Sequence, residues 1–487
     1  MLDFDSCYRA VSARDARFDG RFFTGVTSTG IYCRPICPAR TPTRRNVRFY
    51  QDAAAAEAAG FRPCKRCRPE SSPGSARWDA RGDLVRRGLR LIDDGVVDDH
   101  GVRGLAGRLS VTERHLHRLF VAELGAPPLA VARSRRLQLA RRLLRETSMP
   151  VTDVAFAAGF GSVRQFNATL QETYGQTPSE LRGPQPANGS VLALRLAVRE
   201  PFDAAGLLDF LAARAIPGVE EVEGGRYVRA GPGPYRVELE PRDGHVLMRV
   251  DAADLRGVSR LVARCRRLLD LDAEPHAVHD VLGADGLLAP LVAARPGLRV
   301  PGAFDGFEMA VRAVLGQQVS VAAARTFAGR LVARCGEPLA QPTGTLTHRF
   351  PTAGAVAAAD LSGLGLTGAR ERTLRALAEA TASGDLDLGG GADPAETERR
   401  LLALPGVGPW TASYVAMRAL GDPDAFPSGD LALRNAVRDL TGVETSAQDL
   451  VERAEAWRPW RAYAVMHLWA SLGAGERTAT AGVPGRR

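Results

Sequence analysis

The sequence predicts a multidomain α+β protein of 487 residues. Three observations lead to this fold class. Five of the seven cysteines precede residue 70, which indicates a small segment organised around its thiols. Apolar residues recur at three-to-four spacing over about 80–183 and 303–475, which is typical of helices. Short alternating runs between these helical regions predict antiparallel strands at 191–198, 235–240 and 245–250.

Changes in composition divide the chain further. The stretches PESSPGSARW at 69–78 and GPQPANG at 183–189 are rich in Gly, Pro and Ser and are typical of linkers. We therefore predict four domains: a small α/β domain at 1–76, an all-α domain at 80–183, an antiparallel β-rich subdomain at 188–300 and an all-α domain at 301–477.

The net charge of +9 is unevenly distributed along the chain. Residues 1–70 carry +6, residues 71–184 carry +5 and residues 185–487 carry −2. The basic excess predicts a polyanionic partner for the N-terminal segments. No run approaches the roughly 18 apolar residues of a membrane span, and the start MLDFDSCYRA is unlike a signal peptide. We expect a cytoplasmic protein that has no membrane partner.

Four cysteines have the spacing of a metal site. Cys33 and Cys37 form one close pair, and Cys64 and Cys67 form a second pair 26 residues further on. Four thiolates suit one tetrahedral Zn²⁺ ion. On spacing alone, the zinc ion either stabilises the fold of a segment that has only a small core or forms part of a reactive site.

The residues around these cysteines favour the reactive site. The stretches FFTGVTSTGIYCRPICPARTPTRRNVRFY and AAGFRPCKRCRPE resemble the N-terminal domain of the Ada family of alkylation-response proteins. The resemblance implies that Cys33 is the nucleophile that accepts a methyl group from a methylphosphotriester in DNA, a role that suits a zinc-bound thiolate. Nearby arginines, among them Arg34 and Arg45, are then expected to hold the flanking phosphates. A zinc domain with a purely structural role remains the alternative.

The next segment contains two helix-turn-helix motifs. One lies in VRGLAGRLSVTERHLHRLFVAELG at 102–125, and the second lies at 150–182, with Gly159 at the turn and Ser162 as the N-cap. The pair resembles the AraC-type activators, which implies promoter DNA and RNA polymerase as partners. A helical bundle with a solvated charged face is the alternative. The candidate DNA-binding residues are Arg114, Arg118, Arg164 and Gln165.

The C-terminal half carries a glycine-rich hairpin motif. LPGVGPWTASYVA at 404–416 has Gly406 and Gly408 where a helix-hairpin-helix turns toward a DNA phosphate. Asp430 follows 22 residues after Gly408. Together with VPGAFDGFEMAVRAVLGQQVS and AWRPWRAYAVMHLW, these residues resemble the AlkA-type 3-methyladenine DNA glycosylases over 188–475.

That resemblance implies a glycosylase with an antiparallel β N-terminal subdomain and an all-α helix-hairpin-helix core. Asp430 is the expected catalytic carboxylate, and Gln318 takes the wedge position where some relatives have leucine. The expected base pocket is lined by Trp469, Trp410 and Tyr414, an aromatic surface suited to a flipped cationic base. Core packing is the alternative role for each of these three aromatic residues.

The positions of lysine and cysteine in the sequence restrict the reaction type and the cofactors that we expect. Lys65 is the single lysine and lies in the zinc segment, so lyase chemistry through a lysine Schiff base beside the hairpin is excluded. No cysteine follows Cys335, so we expect no iron–sulfur cluster. The resulting expectation is a monomer that binds double-stranded DNA, senses methylphosphotriesters and excises alkylated bases by monofunctional hydrolysis. A transcription regulator whose glycosylase half only binds DNA is the alternative.

Overall fold

The computed structural model describes residues 3–73, 83–182, 191–252 and 254–480. The linker predicted at 69–78 falls partly outside these ranges, and the break predicted at 183–189 lies wholly outside them.

The elements of the N-terminal half follow in chain order. They are α1 (Phe4–Ala13), β1 (Phe23–Val26), β2 (Ile31–Cys33), β3 (Val47–Tyr50), α2 (Ala53–Ala58), β4 (Arg62–Pro63), α3 (Asp83–Asp93), α4 (Val96–Arg108), α5 (Glu113–Leu124), α6 (Pro128–Glu146), α7 (Val151–Ala157), α8 (Val163–Tyr174), α9 (Pro178–Leu181) and β5 (Leu192–Ala197). Short 3₁₀ turns occupy Ala16–Phe18, Arg44–Asn46 and Pro69–Ser71.

The elements of the C-terminal half continue this order. They are α10 (Ala204–Arg214), β6 (Glu220–Glu223), β7 (Arg226–Ala230), β8 (Tyr235–Arg242), β9 (His245–Ala252), α11 (Val258–Leu268), α12 (Pro275–Leu282), α13 (Ala289–Ala294), α14 (Gly306–Leu315), α15 (Val321–Cys335), β10 (Glu337–Thr343), β11 (Leu346–Arg349), α16 (Ala353–Ala358), α17 (Gly368–Ser383), α18 (Pro394–Leu402), α19 (Pro409–Arg418), α20 (Leu431–Thr441), α21 (Ala447–Ala454) and α22 (Arg461–Thr480). A 3₁₀ turn lies at Glu455–Trp457.

The chain forms two compact units, residues 1–199 with 233–266 and residues 200–232 with 267–487. In the first unit, the four-stranded sheet has the order β3-β1-β2-β4, and β1 is antiparallel to both of its neighbours. Its core consists of Phe23, Tyr32, Ala53, Ala56 and Phe61. This small core fixes the end of β2, where Cys33 follows the buried Tyr32.

The seven helices α3–α9 form the predicted helical segment. Gly101, with φ of 66°, interrupts α4, and Ser110, with φ of 55°, makes the turn before α5. Gly159 makes the corresponding turn before α8 with φ of 90°, and the Ser162 hydroxyl caps α8 by accepting from the backbone N–H of Gln165 at 3.1 Å. The predicted turn glycine and the predicted N-cap are confirmed.

The strands predicted from alternating sequence are also present. In the first unit, β5 pairs antiparallel with β9, and β9 pairs antiparallel with β8. Their inward side chains, such as Leu194, Leu239 and Met248, are fully buried, whereas alternate positions are polar or half-exposed.

The second unit is mainly helical, with the antiparallel pair β6–β7 and a further pair, β10–β11. Its main core packs α14, α17 and α19 around residues such as Val311, Leu377 and Val415. The β10–β11 pair adds strand structure to a region for which the sequence pattern indicates helix. The residues of β10 are mostly exposed and lack apolar alternation, which explains why the sequence does not signal this strand. Among the described residues, no helix has both the length and the apolar character needed to span a bilayer.

Candidate functional site

The four predicted cysteine ligands come together in the first unit. The Sγ atoms of Cys33, Cys37, Cys64 and Cys67 all lie within 4.8 Å of one another. Cys33 ends β2, and a turn closed by the Cys37 N–H to the Arg34 carbonyl at 3.1 Å brings Cys37 alongside it. The Cys64 N–H donates to the Tyr32 carbonyl at 2.9 Å, which draws the second pair to the same end of the sheet.

This donor set fits a tetrahedral zinc ion. Four sulfurs at about 2.3 Å from a central ion lie roughly 3.8 Å apart, and the Sγ atoms of Cys37 and Cys64 are 4.0 Å apart. Backbone N–H groups of Arg34 and Arg66 donate to the sulfurs of Cys67 and Cys64 at 3.3 and 3.4 Å, as they do around negatively charged thiolates. Contact with Cys37 and the other sulfurs raises the pKa of the Cys33 thiol above its usual range. A cation bound by the four sulfurs would favour their thiolate forms.

Cys33 is accessible from a cavity of about 640 Å³. Cys33 and Cys37 are partly exposed, whereas Cys64 and Cys67 are buried. The cationic residues that line this cavity are Arg34, Arg40, Arg62, Lys65, Arg66 and Arg141. The cavity therefore gives an anionic substrate a route to a sulfur.

Arg34 makes contacts inside the cysteine segment. Its Nε donates to Asp19 at 2.8 Å, and its Nη1 donates to the Cys67 carbonyl at 3.1 Å. Only 14% of the Arg34 side chain is exposed, so its guanidinium supports the cysteine loop, and its predicted contact with a DNA phosphate remains a prediction. Arg45 is exposed, in keeping with a phosphate contact, and that role remains a prediction.

A buried ion pair joins the cysteine segment to the helical segment within the first unit. Glu70 lies 3.1 Å from the Nη1 of Arg141 on α6, and their side chains are 0% and 2% exposed. The same guanidinium lies 4.8 Å from the ring centroid of Tyr174, the last residue of α8. Arg141 is therefore a buried residue that links the cysteine segment to α6 and α8.

The candidate DNA-binding residues of the helical segment lie on exposed positions. Arg114 and Arg118 are exposed on α5, and Arg118 contacts the ring of His115 at 3.3 Å. Arg164 and Gln165 are exposed in the first turn of α8, where the Gln165 side chain accepts from the Gly161 N–H at 3.2 Å. These positions suit base contacts, which remain predictions.

The second unit contains a cavity of about 410 Å³ lined by Asp430 and by all three predicted pocket aromatics. Asp430 caps α20 through the backbone N–H of Leu433 at 3.0 Å. Its carboxylate also accepts from Trp410 Nε1 at 2.7 Å and from Trp469 Nε1 at 3.3 Å. Three donors from α19, α20 and α22 thus fix one carboxylate at the cavity wall.

The aromatic residues form a continuous wall. The rings of Trp410 and Tyr414 stack with centroids 5.3 Å apart and an interplanar angle of 13°. Trp469 lies 6.2 Å from Tyr414 at 47°. All three are partly exposed, so their faces are not enclosed in the core.

Sequence reasoning did not identify the cationic wall of this cavity. Arg418 Nη1 donates to the Tyr414 hydroxyl at 2.7 Å, and Arg214 also lines the cavity. Burial lowers the pKa of both guanidinium groups. Arg418 follows Tyr414 by four residues on the same helix, a spacing that brings two side chains together and could have indicated the contact.

Both glycines of the hairpin motif lie between α18 and α19. Gly406 has φ of 79°, and a Cβ there would lie 2.2 Å from Thr373 Oγ1. Gly408 caps α19, whose first-turn N–H groups lack intrahelical acceptors and point toward the hairpin. Gln318, the predicted wedge, is exposed in a separate turn between α14 and α15 with φ of 52°.

Family models match four successive parts of the chain. The metal binding domain of Ada matches residues 6–70 and a helix-turn-helix domain matches residues 105–183. The AlkA N-terminal domain matches residues 193–305, and the HhH-GPD superfamily base excision DNA repair protein matches residues 311–462.

Whole-protein relatives agree with this division. The chain is 50% identical to the probable bifunctional transcriptional activator/DNA repair enzyme AlkA of Mycobacterium tuberculosis H37Rv, over 96% of this chain and 97% of that protein. It is 36% identical to DNA-3-methyladenine glycosylase 2 of Escherichia coli K12, over 56% of this chain and 95% of that enzyme. The 3-methyladenine DNA-glycosylase of Archaeoglobus fulgidus has the same fold over 57% of this chain and 97% of its own, with a TM-score of 0.51 and 22% identity.

Proposed function

The chain belongs to the family of bifunctional transcriptional activator/DNA repair enzymes, and from this premise we propose which residues carry its two reactions. The cysteine centre of the first unit accepts methyl groups from DNA methylphosphotriesters and thereby activates transcription. The aspartate pocket of the second unit excises alkylated bases of the 3-methyladenine type.

Cys33 is the methyl acceptor. Its Sγ attacks the methyl carbon in line, the S–C bond forms as the C–O bond breaks, and the phosphodiester leaves with the electron pair on its oxygen. One Zn²⁺ held by Cys33, Cys37, Cys64 and Cys67 keeps the sulfurs deprotonated. The partial exposure of Cys33 in a cavity lined by cations supports this assignment.

Methylation also provides the activating signal. It converts an anionic thiolate into a neutral thioether, so repulsion between the centre and DNA phosphate falls. No step regenerates the thiolate, so each molecule reacts once. The helices α5 and α8 then hold double-stranded promoter DNA, and the chain acts as an activator of RNA polymerase.

Mass analysis tests the sensor. We expect the full chain to gain 14 Da on the Cys33 peptide after incubation with methylphosphotriester DNA, and Cys33→Ser to gain nothing. A wild-type chain that stays unmodified, with zinc bound, would establish the alternative of a purely structural zinc domain.

Asp430 is the proposed glycosylase carboxylate. Its carboxylate stabilises the positive charge that develops on the sugar C1′ and orients the attacking water. Trp410, Tyr414 and Trp469 stack on the flipped base. The observation that carries this proposal is a carboxylate held by three N–H donors at the wall of a base-sized aromatic cavity. The reaction is monofunctional because lysine is absent beside the hairpin.

Release of 3-methyladenine from alkylated duplex DNA tests this assignment. We expect Asp430→Asn to lower kcat at least 100-fold while binding of abasic-site DNA persists. Unchanged release in that variant would remove Asp430 from the reaction. Absence of release from the wild-type chain would instead favour a regulator whose glycosylase half only binds DNA.

The remaining parts of the proposal concern the metal content, the cellular location and the oligomeric state of the protein. We infer one zinc ion, no iron–sulfur cluster, a cytoplasmic location and a monomer. The four-cysteine group found among the described residues supports the zinc ion, and the lack of any cysteine after Cys335 in the sequence supports the absence of a cluster.

A further inference from the structure

The turn between α14 and α15 holds Gln318 in an unusual backbone conformation. Its φ of 52° lies in the left-handed region, which is sterically unfavourable for a residue with a Cβ. The side chain is exposed, so no core packing compensates for this cost. Neighbouring contacts must therefore hold the turn.

Gln317 provides such contacts to the glycine hairpin. Its side-chain Nε2 donates to the Gly406 carbonyl at 3.0 Å and to Thr411 Oγ1 at 2.9 Å. Its own carbonyl accepts from Arg370 Nη2 at 2.5 Å. One residue thus connects the wedge turn to the hairpin at Gly406, to the first turn of α19 and to α17.

The partners of Gln317 are closely packed. Thr411 is 3% exposed, and Gly406 lies against Thr373 so closely that a side chain there would clash. The amide of Gln317 can satisfy both acceptors only as a donor. The Gln317 side chain therefore links the wedge turn directly to the hairpin.

We propose that Gln317 is a positioning residue that couples phosphate binding at the hairpin to insertion of Gln318 into the duplex. It holds Gln318 in its left-handed conformation at a fixed distance from the hairpin, so that a bound phosphate brings the wedge to the gap left by the flipped nucleotide. The inference rests on the proposed glycosylase function and adds to it a residue that neither touches the base nor reacts.

The test compares Gln317→Glu and Gln317→Met with the wild-type full chain. Gln317→Glu keeps the length of the side chain but removes its N–H donors. Gln317→Met keeps the length and volume but removes the polar atoms. Either variant can carry the test if the other fails to fold. Gln448→Glu, the same change at an exposed position on α21, is the matched control. Excision is measured on the same alkylated oligonucleotide as a duplex and as a single strand, and flipping is measured by 2-aminopurine fluorescence beside the lesion.

We expect each Gln317 variant to lower the duplex excision rate about 10-fold and to reduce the fluorescence change. The rate of excision from the single strand stays within twofold of the wild-type rate, because a single strand has no duplex gap for Gln318 to fill. In a Gln318→Ala background, a second substitution at Gln317 costs less than twofold, because the positioned side chain is already absent.

Two results overturn the inference. One is wild-type excision and flipping in both Gln317 variants. The other is an equal loss on duplex and single strand with multiplicative effects in the double variant, which indicates a general structural role. If the proposed glycosylase function is wrong, the wild-type chain releases no base. The fluorescence assay then still reports whether Gln317 governs base flipping, so the two failures can be told apart.

Discussion

At the scale of single residues, the two tryptophans beside Asp430 have two functions at once. Each lines the cavity, and each donates its indole N–H to the carboxylate. An aromatic residue without an N–H would preserve the first function and remove the second. We therefore expect the tryptophan side chain to be needed for orientation of Asp430 as well as for stacking on the base.

Replacing Trp410 with Phe separates these functions. We expect Trp410→Phe to lower kcat for 3-methyladenine release about 10-fold with little change in KM, because the 2.7 Å contact to Asp430 is lost while an aromatic ring remains. Tyr414→Phe is the matched control, since it removes a hydroxyl bound to Arg418 and leaves Asp430 untouched. Steady-state kinetics of both variants test whether Trp410 orients Asp430. Equal effects of the two substitutions on kcat would contradict that role.

Glu57 is a second residue whose environment has a measurable consequence. It lies on α2 beneath the sheet, where the Tyr32 hydroxyl donates to its Oε1 at 2.8 Å. Burial raises the pKa of Glu57 to about 7, although hydrogen bonds from Tyr32 and Ser134 oppose the rise. The folded chain therefore retains this proton at pH values where the unfolded chain has lost it.

The pH dependence of stability follows from this difference. Because the Glu57 carboxyl stays protonated in the folded state between about pH 4.5 and 7, the contribution of Glu57 to the free energy of unfolding falls as pH rises through that window, by on the order of 3 kcal/mol. We expect Glu57→Gln to remove this fall, so that it matches wild type at pH 5 and is more stable at pH 8. Urea unfolding of the full chain between pH 5 and 8 measures the effect, and parallel curves for the two proteins would refute it.

At the scale of elements, local signals predicted local structure. Ser162 caps α8, Gly159 turns the chain before it, and alternation predicted β5, β8 and β9, because each feature depends on neighbouring residues. The four-cysteine group was predictable for the same reason, since each pair lies within one turn. β10 escaped prediction because its exposed residues carry no alternation.

Partners distant in sequence could not be predicted in this way. Arg34 binds Asp19, Glu70 pairs with Arg141, and Trp469 reaches Asp430 from 39 residues away. Each pairing depends on how separate elements pack, which no local pattern encodes. The family resemblance supplied Asp430 and the aromatic residues, but it did not indicate that the indole N–H groups hold the carboxylate.

The hairpin between α18 and α19 allows a prediction at this scale. We expect Gly406→Ala to weaken abasic-site DNA binding and lower excision about 10-fold, because a Cβ would lie 2.2 Å from Thr373 Oγ1 and φ is 79°. Gly408→Ala should cost less, since φ there is −104° and a Cβ meets nothing within 4 Å among the described residues. Fluorescence anisotropy with abasic DNA measures both, and a larger loss in Gly408→Ala would contradict the steric argument.

At the scale of the whole molecule, net charge and candidate reactive groups are both divided between the N-terminal and C-terminal parts of the chain. Residues 1–184 carry +11 and contain all four candidate zinc ligands, whereas residues 185–487 carry −2 and contain Asp430. The first segment is suited to holding DNA phosphates by charge. The second is suited to binding through hairpin amides and an aromatic cavity, which require no net positive charge.

Removal of the metal should therefore separate the two activities of one chain. The candidate ligands lie within residues 33–67 of the first unit, and the lining of the Asp430 cavity lies entirely in the second unit. We expect a chelator to abolish methyl transfer to Cys33, because the cysteine segment loses both its nucleophile and its fold, while release of 3-methyladenine stays within twofold. Both activities are measured on the same chelated sample, and readdition of Zn²⁺ is the control that must restore methyl transfer. Parallel loss and recovery of base release would show that the glycosylase reaction depends on the zinc centre, and would contradict the assignment of the two reactions to separate sites.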